Sequence, residues 1–369
     1  MRSHDVIVVG GGVIGCSVAF ALSRMGASVL LIERDRVGVH TSRAAAGMLA
    51  PITESADEEG TAFRIGLESL ELFPALVAEI RELSGIDPRY TECGLLRVAE
   101  ADEVDAFRER ALRLEAYGCE WLDRDEVRKT EPRLALPVAG GLWSPREAYV
   151  DGFLLTRALA GAAARRGTEL QLGTTVSGLL CEGERVRGVR TSAGERLASE
   201  VVLCAGAWTG FIGDELLERL PIEPVKGQMI ALESPEPGLP CVIWGRGIYL
   251  VPRDESVSVG ATMERVGFDV RTTASGVAEL LAGATHVLPV LGESTFQEAW
   301  SGLRPGTPDD LPLVGPVPGF SGLTVAAGHY RRGILLSPIT GLAIADWILS
   351  EKRSPELLAL DPARFQRPS

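Results

Sequence analysis

The residue types most suited to chemistry in this chain are a cluster of glycines near its start and three arginines near its end. DVIVVGGGVIG, residues 5–15, places Gly10, Gly12 and Gly15 at GxGxxG spacing, with Val13 and Ile14 between them. Each glycine has a separate task in holding a dinucleotide: Gly10 permits a tight turn, Gly12 lets the backbone approach a pyrophosphate, and Gly15 lets the following helix lie close on the sheet. The start of that helix supplies unpaired N–H groups and partial positive charge for the phosphates. Glu33, with Arg34 beside it, follows about twenty residues on, where a carboxylate accepts hydrogen bonds from a ribose. These residues alone do not separate FAD from NAD.

The arginines suggest a second ligand. A guanidinium offers two parallel N–H donors matched to a carboxylate, so Arg304 in GLRPGTPDD is a candidate fork. The alternative is an ion pair with Asp309 or Asp310, a short loop away. Arg331 and Arg332 stand together at the mouth of an apolar run, GHYRRGILLSPITG (328–341). Tyr249 lies in an alternating stretch, 248–252, where a tyrosine either faces a ligand or packs. The six cysteines are widely spaced and include no CxxC pair, so no metal site is expected.

The elements needed to position these groups are legible. Residues 5–9 and 28–32 read as buried parallel strands around a helix over 17–25. Residues 154–166 have helical composition, and the stretch ELQLGTTVSGLLCEGERVRGVRTSAGERL (169–197) alternates as antiparallel strands do. VVLCAGAWTG (201–210), which contains Gly206 and Trp208, is a further buried strand closed by a turn. The expectation is an α/β chain: a Rossmann-like dinucleotide domain over 1–84, 146–223 and 301–369. A mostly antiparallel β-sheet substrate domain (α+β) is inserted as 85–145 and 224–300.

At 369 residues, 46% hydrophobic, the chain is long enough for two such units. A formal charge of −13 argues against nucleic acid or anionic membrane and for a small-molecule partner. Reduced thiols fit a cytoplasmic protein, and no apolar stretch reaches membrane-spanning length free of charges.

HTSRAAAGMLAP (40–51) gathers small residues and hydroxyls where backbone would approach a flat ligand; Thr41 and Ser42 would bond phosphate oxygens or cap a helix. Together with VIVVGGGVIG, EPVKGQMI, YLVPR, VGATME, WSGLRPGTPDDLPLVGP and GHYRRGILLSPITG, this stretch resembles the D-amino-acid oxidase family of flavoproteins, and within it the glycine-oxidising branch that serves thiazole synthesis. The resemblance runs from the first strand to the last helix.

It implies FAD bound non-covalently, since Ala44 stands where tethered relatives carry histidine; His40 lies nearby but out of register. It implies cofactor contacts from Ala46, Gly47 and Met48, from Val176 near the adenine, and from Gly206 and Trp208. The backbone of His329, Tyr330, Arg331 and Arg332 would also touch the cofactor. Gly333, Ile334 and Leu335 would open a helix toward the flavin pyrimidine edge. His329 is expected to be a structural ring rather than a base.

For the substrate, the resemblance implies Arg304 and Arg331 on the carboxylate, Tyr249 beside them, and Met263 lining a small pocket, although a methionine also suits a core. Arg332 is expected in water. The implied reaction oxidises glycine, sarcosine or a small D-amino acid with molecular oxygen. Self-association into a tetramer is common in the glycine-oxidising branch of that family. A dehydrogenase for D-amino acids or secondary amines with another acceptor is the alternative of the same fold. An RNA-modification module would need basic clusters, and a non-catalytic subunit would have lost one of the two arginines.

Overall fold

The computed structural model describes residues 4–55, 60–135, 138–213, 216, 220–353 and 355–366. The apolar run at the start forms strand β1 (His4–Val9), the glycine turn leads into helix α1 (Val13–Arg24), and the chain returns as β2 (Val29–Ile32). The helix begins earlier than its apolar spacing suggests, because Gly12 caps it and the Ser42 hydroxyl accepts the Val13 N–H at 2.9 Å. A cap supplied from 29 residues away leaves no mark in the local pattern.

Both strands belong to an eight-stranded sheet. Its parallel part runs Glu169–Gln171, β2, β1, Gly194–Leu203, Leu323–Ala327, with β1 central and fully flanked. Every residue of β2 is buried, as in a sheet covered on both faces. One face packs against α1, the helix Gly152–Arg165 and the helix Gly333–Ser350. Strands Val176–Glu182, Arg185–Thr191 and Gly194–Leu203 form the expected antiparallel meander. The segment Glu169–Gln171 departs from that expectation: it is the parallel edge beside β2, too short for its alternation to distinguish the two pairings.

A second eight-stranded sheet is mostly antiparallel, in the order Phe296–Gly306, Glu223–Glu233, Ser256–Gly260, Ile248–Pro252, Val242–Gly245, Leu95–Ala99, Gly140–Ser144, Glu120–Asp123. Val242–Gly245 and Leu95–Ala99 pair in parallel, joining the two chain segments of this sheet. Helix Ala274–Val287 covers one face. Strand Phe296–Gly306 keeps its pairing with Glu223–Glu233 to its last residue, so the chain leaves this sheet only after Gly306.

The last long helix carries Pro338 inside it, which removes the N–H that Ile334 would otherwise receive. The Ser337 hydroxyl donates to the Ile334 carbonyl at 2.9 Å in its place. Ser69 and Ser17 donate to the Leu335 and Ser337 carbonyls, both at 2.6 Å, fastening the helix to its neighbours. Tyr330–Ser350 is long and apolar enough to cross a membrane by length and composition, a property hidden in sequence by Arg331, Arg332 and Asp346. Here it packs beside α1 and the helix Thr61–Ser84.

Candidate active site

The glycine turn closes the end of a cleft of about 570 Å³ that runs between the two large sheets. At Gly10 the backbone has φ +113°, and a Cβ there would fall 2.4 Å from the Cys204 carbonyl oxygen. A Cβ on Gly15 would stand 1.9 Å from the Gly10 carbonyl, so any other residue would push helix and turn apart. Gly10, Gly12, Val13 and Ile14 line the cleft, whereas Gly15 lies behind the wall.

Glu33 is buried at the tip of β2. Its carboxylate accepts the N–H groups of Gly11 at 2.6 Å and Asp35 at 2.9 Å, bracing the turn. Arg34 lies 4.0 Å above the Trp208 ring, forming a cation–π wall with Val176 and Gly206 at the same end. His40 is also here: it bonds Asp35 at 2.7 Å and faces Trp208 with ring centroids 5.7 Å apart. Its ring is held beside Glu33 and Asp35, while its carbonyl accepts the Ala44 N–H at 3.2 Å. Glu33, Asp35 and His40 bring their ligand atoms within 4.8 Å of one another, but each is engaged in the bonds just described.

Thr41 and Ser42 open the short helix α2 (Thr41–Ala44), and both hydroxyls have protein partners. Thr41 donates to the Leu303 carbonyl at 2.7 Å and Ser42 caps α1, so of the two expected roles Ser42 takes the capping one. Ala46, Gly47 and Met48 then pass along the cleft. Gly47 has φ +72°, and a Cβ would sit 1.8 Å from the Val150 carbonyl. Strand Phe296–Gly306 closes on this segment: a Cβ on Gly302 would lie 2.5 Å from that of Ala44, and the Trp300 indole donates to the Ala44 carbonyl at 3.2 Å.

The same strand carries Arg304 into the cleft. Its guanidinium lies over Gly227, where a Cβ would be only 2.3 Å away, and donates to the Thr262 carbonyl at 3.1 Å. Asp309 pairs with Arg364 instead, and among the described residues no carboxylate forms an ion pair with Arg304. Tyr249 stands beside it on a second glycine seat, Gly260, whose Cβ would be 2.5 Å from the ring. Burial raises the Tyr249 pKa, with the Arg304 charge working against it, so the phenol stays protonated.

Arg331 and Arg332 belong to a single 3₁₀ turn, Tyr330–Arg332, which points successive side chains in different directions. Arg331 is exposed yet lines the cleft, with its charge 5.1 Å from the Tyr330 ring. Arg332 does not line it, but neither does it simply reach water as expected: it is half-buried and donates to the Asp310 carbonyl at 3.4 Å. It also acts on Glu54, a carboxylate within the cleft. Burial pushes Glu54 up, and Arg332, Arg331 and Arg304, in that order, oppose the rise.

Gly333 and Ile334 bring the N-terminus of the last helix to the cleft, while Leu335 packs behind it. Met263 is 67% exposed and receives the Tyr330 hydroxyl at 2.9 Å, which makes it part of the rim rather than an inner wall. The buried His329 ring is held neutral, its pKa pushed down to about 3 by burial. Nε2 bonds Thr340 at 3.0 Å, while the buried Nδ1 has no hydrogen-bond partner among the described residues.

Sequence reasoning missed Glu54 and Arg253, whose guanidinium donates to the Ala46 carbonyl at 2.5 Å. An isolated glutamate in MLAPITES and an arginine closing YLVPR were the only available signals.

Residues 5–347 match the DAO family, FAD dependent oxidoreductase. The chain belongs to this family. It is 40% identical over 99% of its length to a bifunctional protein ThiO/ThiG of Trichormus variabilis, spanning 56% of that longer relative. A glycine oxidase of Geobacillus kaustophilus is 37% identical, with 94% of this chain and 93% of that one covered. The crystal structure of glycine oxidase from the same organism superposes with a TM-score of 0.93 at 35% identity, covering 99% of each chain. The cleft fits FAD: it runs from the glycine turn and the start of α1, past Glu33 and Trp208, to the small residues Ala44–Gly47 and the start of the last helix.

Proposed function

We propose that this chain is a glycine oxidase that also accepts sarcosine and small D-amino acids. Glycine, oxygen and water would give glyoxylate, ammonia and hydrogen peroxide, the imine first formed being hydrolysed. Non-covalently bound FAD would supply the two-electron acceptor for the hydride and the route for its electrons to oxygen. Gly10, Gly12, Val13, Ile14, Glu33, Arg34, Trp208 and Val176 would hold its dinucleotide part, and the 44–48 segment its ring. The absence of cysteine after Cys241 and the engagement of His40 with Asp35 support a cofactor without a covalent tether.

Arg304 carries the reading: a cation placed flat on a glycine seat, without an ion-pair partner among the described residues, inside a cleft. That arrangement suits the carboxylate of a small amino acid, bound by two parallel N–H donors. Arg331 adds a second positive charge from the rim, and the Tyr249 hydroxyl a donor beside Arg304 on the same sheet. No protein base is required, because an amine that sheds its ammonium proton on binding has the lone pair needed to release hydride. Neutral His329 orients groups but holds no charge. The N-terminus of the last helix supplies positive potential as negative charge develops.

The imine also suits transfer to thiazole assembly, and the ThiO/ThiG name of the longer relative supports that placement. We read 85–145 and 224–300, with the strand that runs on to Gly306, as the substrate-binding portion and the rest as the FAD-binding portion. Anaerobic stopped-flow mixing of the yellow protein with glycine, sarcosine and D-alanine, followed by oxygen, tests the proposal. Fast bleaching by glycine and fast reoxidation with peroxide are expected. Bleaching only by larger or N-substituted amines, or sluggish reoxidation, would instead identify a dehydrogenase.

A further inference from the structure

Behind Arg304 lies a mostly buried polar cluster, of which only Thr262 reaches the cleft wall, that the reaction does not use. Lys226 is 1% exposed, and its Nζ pairs with Glu264 Oε2 at 2.9 Å. The other oxygen of Glu264 accepts the Thr262 hydroxyl at 2.6 Å and the Gln228 amide at 2.7 Å. Backbone bonds knit the same residues together: the Lys226 N–H donates to the Glu264 carbonyl at 2.8 Å and the Glu264 N–H to the Lys226 carbonyl at 2.9 Å. The Gln228 N–H donates to the Thr262 hydroxyl at 2.9 Å.

Two carbonyls of this cluster face Arg304. Nη1 donates to Thr262 at 3.1 Å and approaches the Lys226 carbonyl at 3.5 Å. Glu264 therefore grips, by side chain, the two residues whose carbonyl oxygens aim the guanidinium, without touching the guanidinium itself. Burial works to raise the Glu264 carboxyl pKa, yet the bonds from Thr262, Gln228 and Lys226 outweigh it and hold the group ionised. The Lys226 and Glu264 charges cancel locally, so the positive field of Arg304 is left for its ligand.

We propose that Glu264, with Lys226 as its counter-ion, is a positioning residue for substrate carboxylate: it fixes the two carbonyls that hold Arg304 in its ligand-binding orientation. This rests on the assignment of Arg304 to the carboxylate. Loosening the carbonyls lets the guanidinium swing, so binding weakens while a substrate once bound reacts as before.

The test compares Glu264→Gln and Thr262→Val holoenzymes with the unaltered protein. Three quantities are measured: the Kd of glycolate from the flavin absorbance change, the KM and kcat for glycine, and Tm with FAD content. Weakening of glycolate and a rise in KM by about 10- to 100-fold, the cost typical of a displacement near 1 Å, is expected with kcat within a few-fold. Both variants should retain FAD. Glycolate binding as tight as the unaltered protein's in the folded, FAD-loaded variants would overturn the proposal. If Glu264→Gln does not fold, Thr262→Val, which keeps both charges and the carbonyl, decides alone. Failure of the unaltered protein to bind glycolate or glycine would instead remove the assignment of Arg304.

Discussion

Replacing Gly227 by alanine perturbs Arg304 without touching its charge. A Cβ on Gly227 would stand 2.3 Å from both Nη1 and Nη2, and ordinary contact begins at 3.4 Å, so the guanidinium must lift by the difference, 1.1 Å. The Nη1 bond to Thr262, now 3.1 Å, stretches out of hydrogen-bond range if the motion is directed away from that carbonyl. The backbone accepts alanine, because Gly227 is an ordinary strand residue paired with Gly302, outside the positive-φ set. Only the far end of a flexible side chain has to move, so the fold is expected to tolerate the change. Loss of one charge-assisted hydrogen bond to carboxylate costs about 1.5–3 kcal/mol, or about 10- to 150-fold in affinity. The assay is flavin absorbance during glycolate titration of the holoenzyme, with KM for glycine beside it. A variant that keeps FAD and Tm but binds glycolate as tightly as the parent would refute the seat and, with it, the assignment of Arg304.

Arg331→Ala should raise the KM for glycine about tenfold or more with FAD retained, whereas Arg332→Ala, which is off the cleft wall, should change KM by no more than a few-fold. Steady-state kinetics on the two variants would expose a reversed assignment. Ser42→Ala removes the acceptor for the Val13 N–H and should lower stability by about 1 kcal/mol, read as a shift in the urea midpoint of the FAD-free protein. Burial pushes the Glu147 carboxyl up to about 8, against bonds from Thr53 and Ile52. Because its folded pKa lies above the ordinary value of 4.5, ionisation opposes folding increasingly as pH climbs from 4.5 to 8. Glu147→Gln should therefore gain Tm relative to the parent across that window and level off above it; a constant difference would mean that Glu147 titrates as it does in the unfolded chain.

The parts of the molecule legible in sequence are those whose reasons are local. Gly10 and Gly15 answer to carbonyl oxygens within the turn or beside it, and β1 and β2 are apolar because both faces are covered. Arg304 stood out because its neighbours Pro305 and Gly306 gave it a recognisable motif. Glu54 and the Lys226–Glu264 pair did not, because each depends on strands or loops meeting from far along the chain. The different fates of Arg331 and Arg332 likewise came from a single 3₁₀ turn, whose angular step no composition records. Met263 carried a pocket-lining expectation by motif alone; it lines the cleft from an exposed position, just beyond the strand Ser256–Gly260.

Strand Phe296–Gly306 touches the Ala44 segment through Gly302 and Trp300, and two residues later presents Arg304. In the proposed reaction the cofactor's ring and the anchor for the carboxylate are thus referenced to one rigid length of backbone, as graduations on a ruler. Such a ruler fixes the interval between anchor and oxidised carbon, whatever the loops around it do. It selects regiochemistry: an α-amino acid presents its C–H bond one carbon from the anchored carboxylate, and a β-amino acid held by the same arginine presents the wrong carbon.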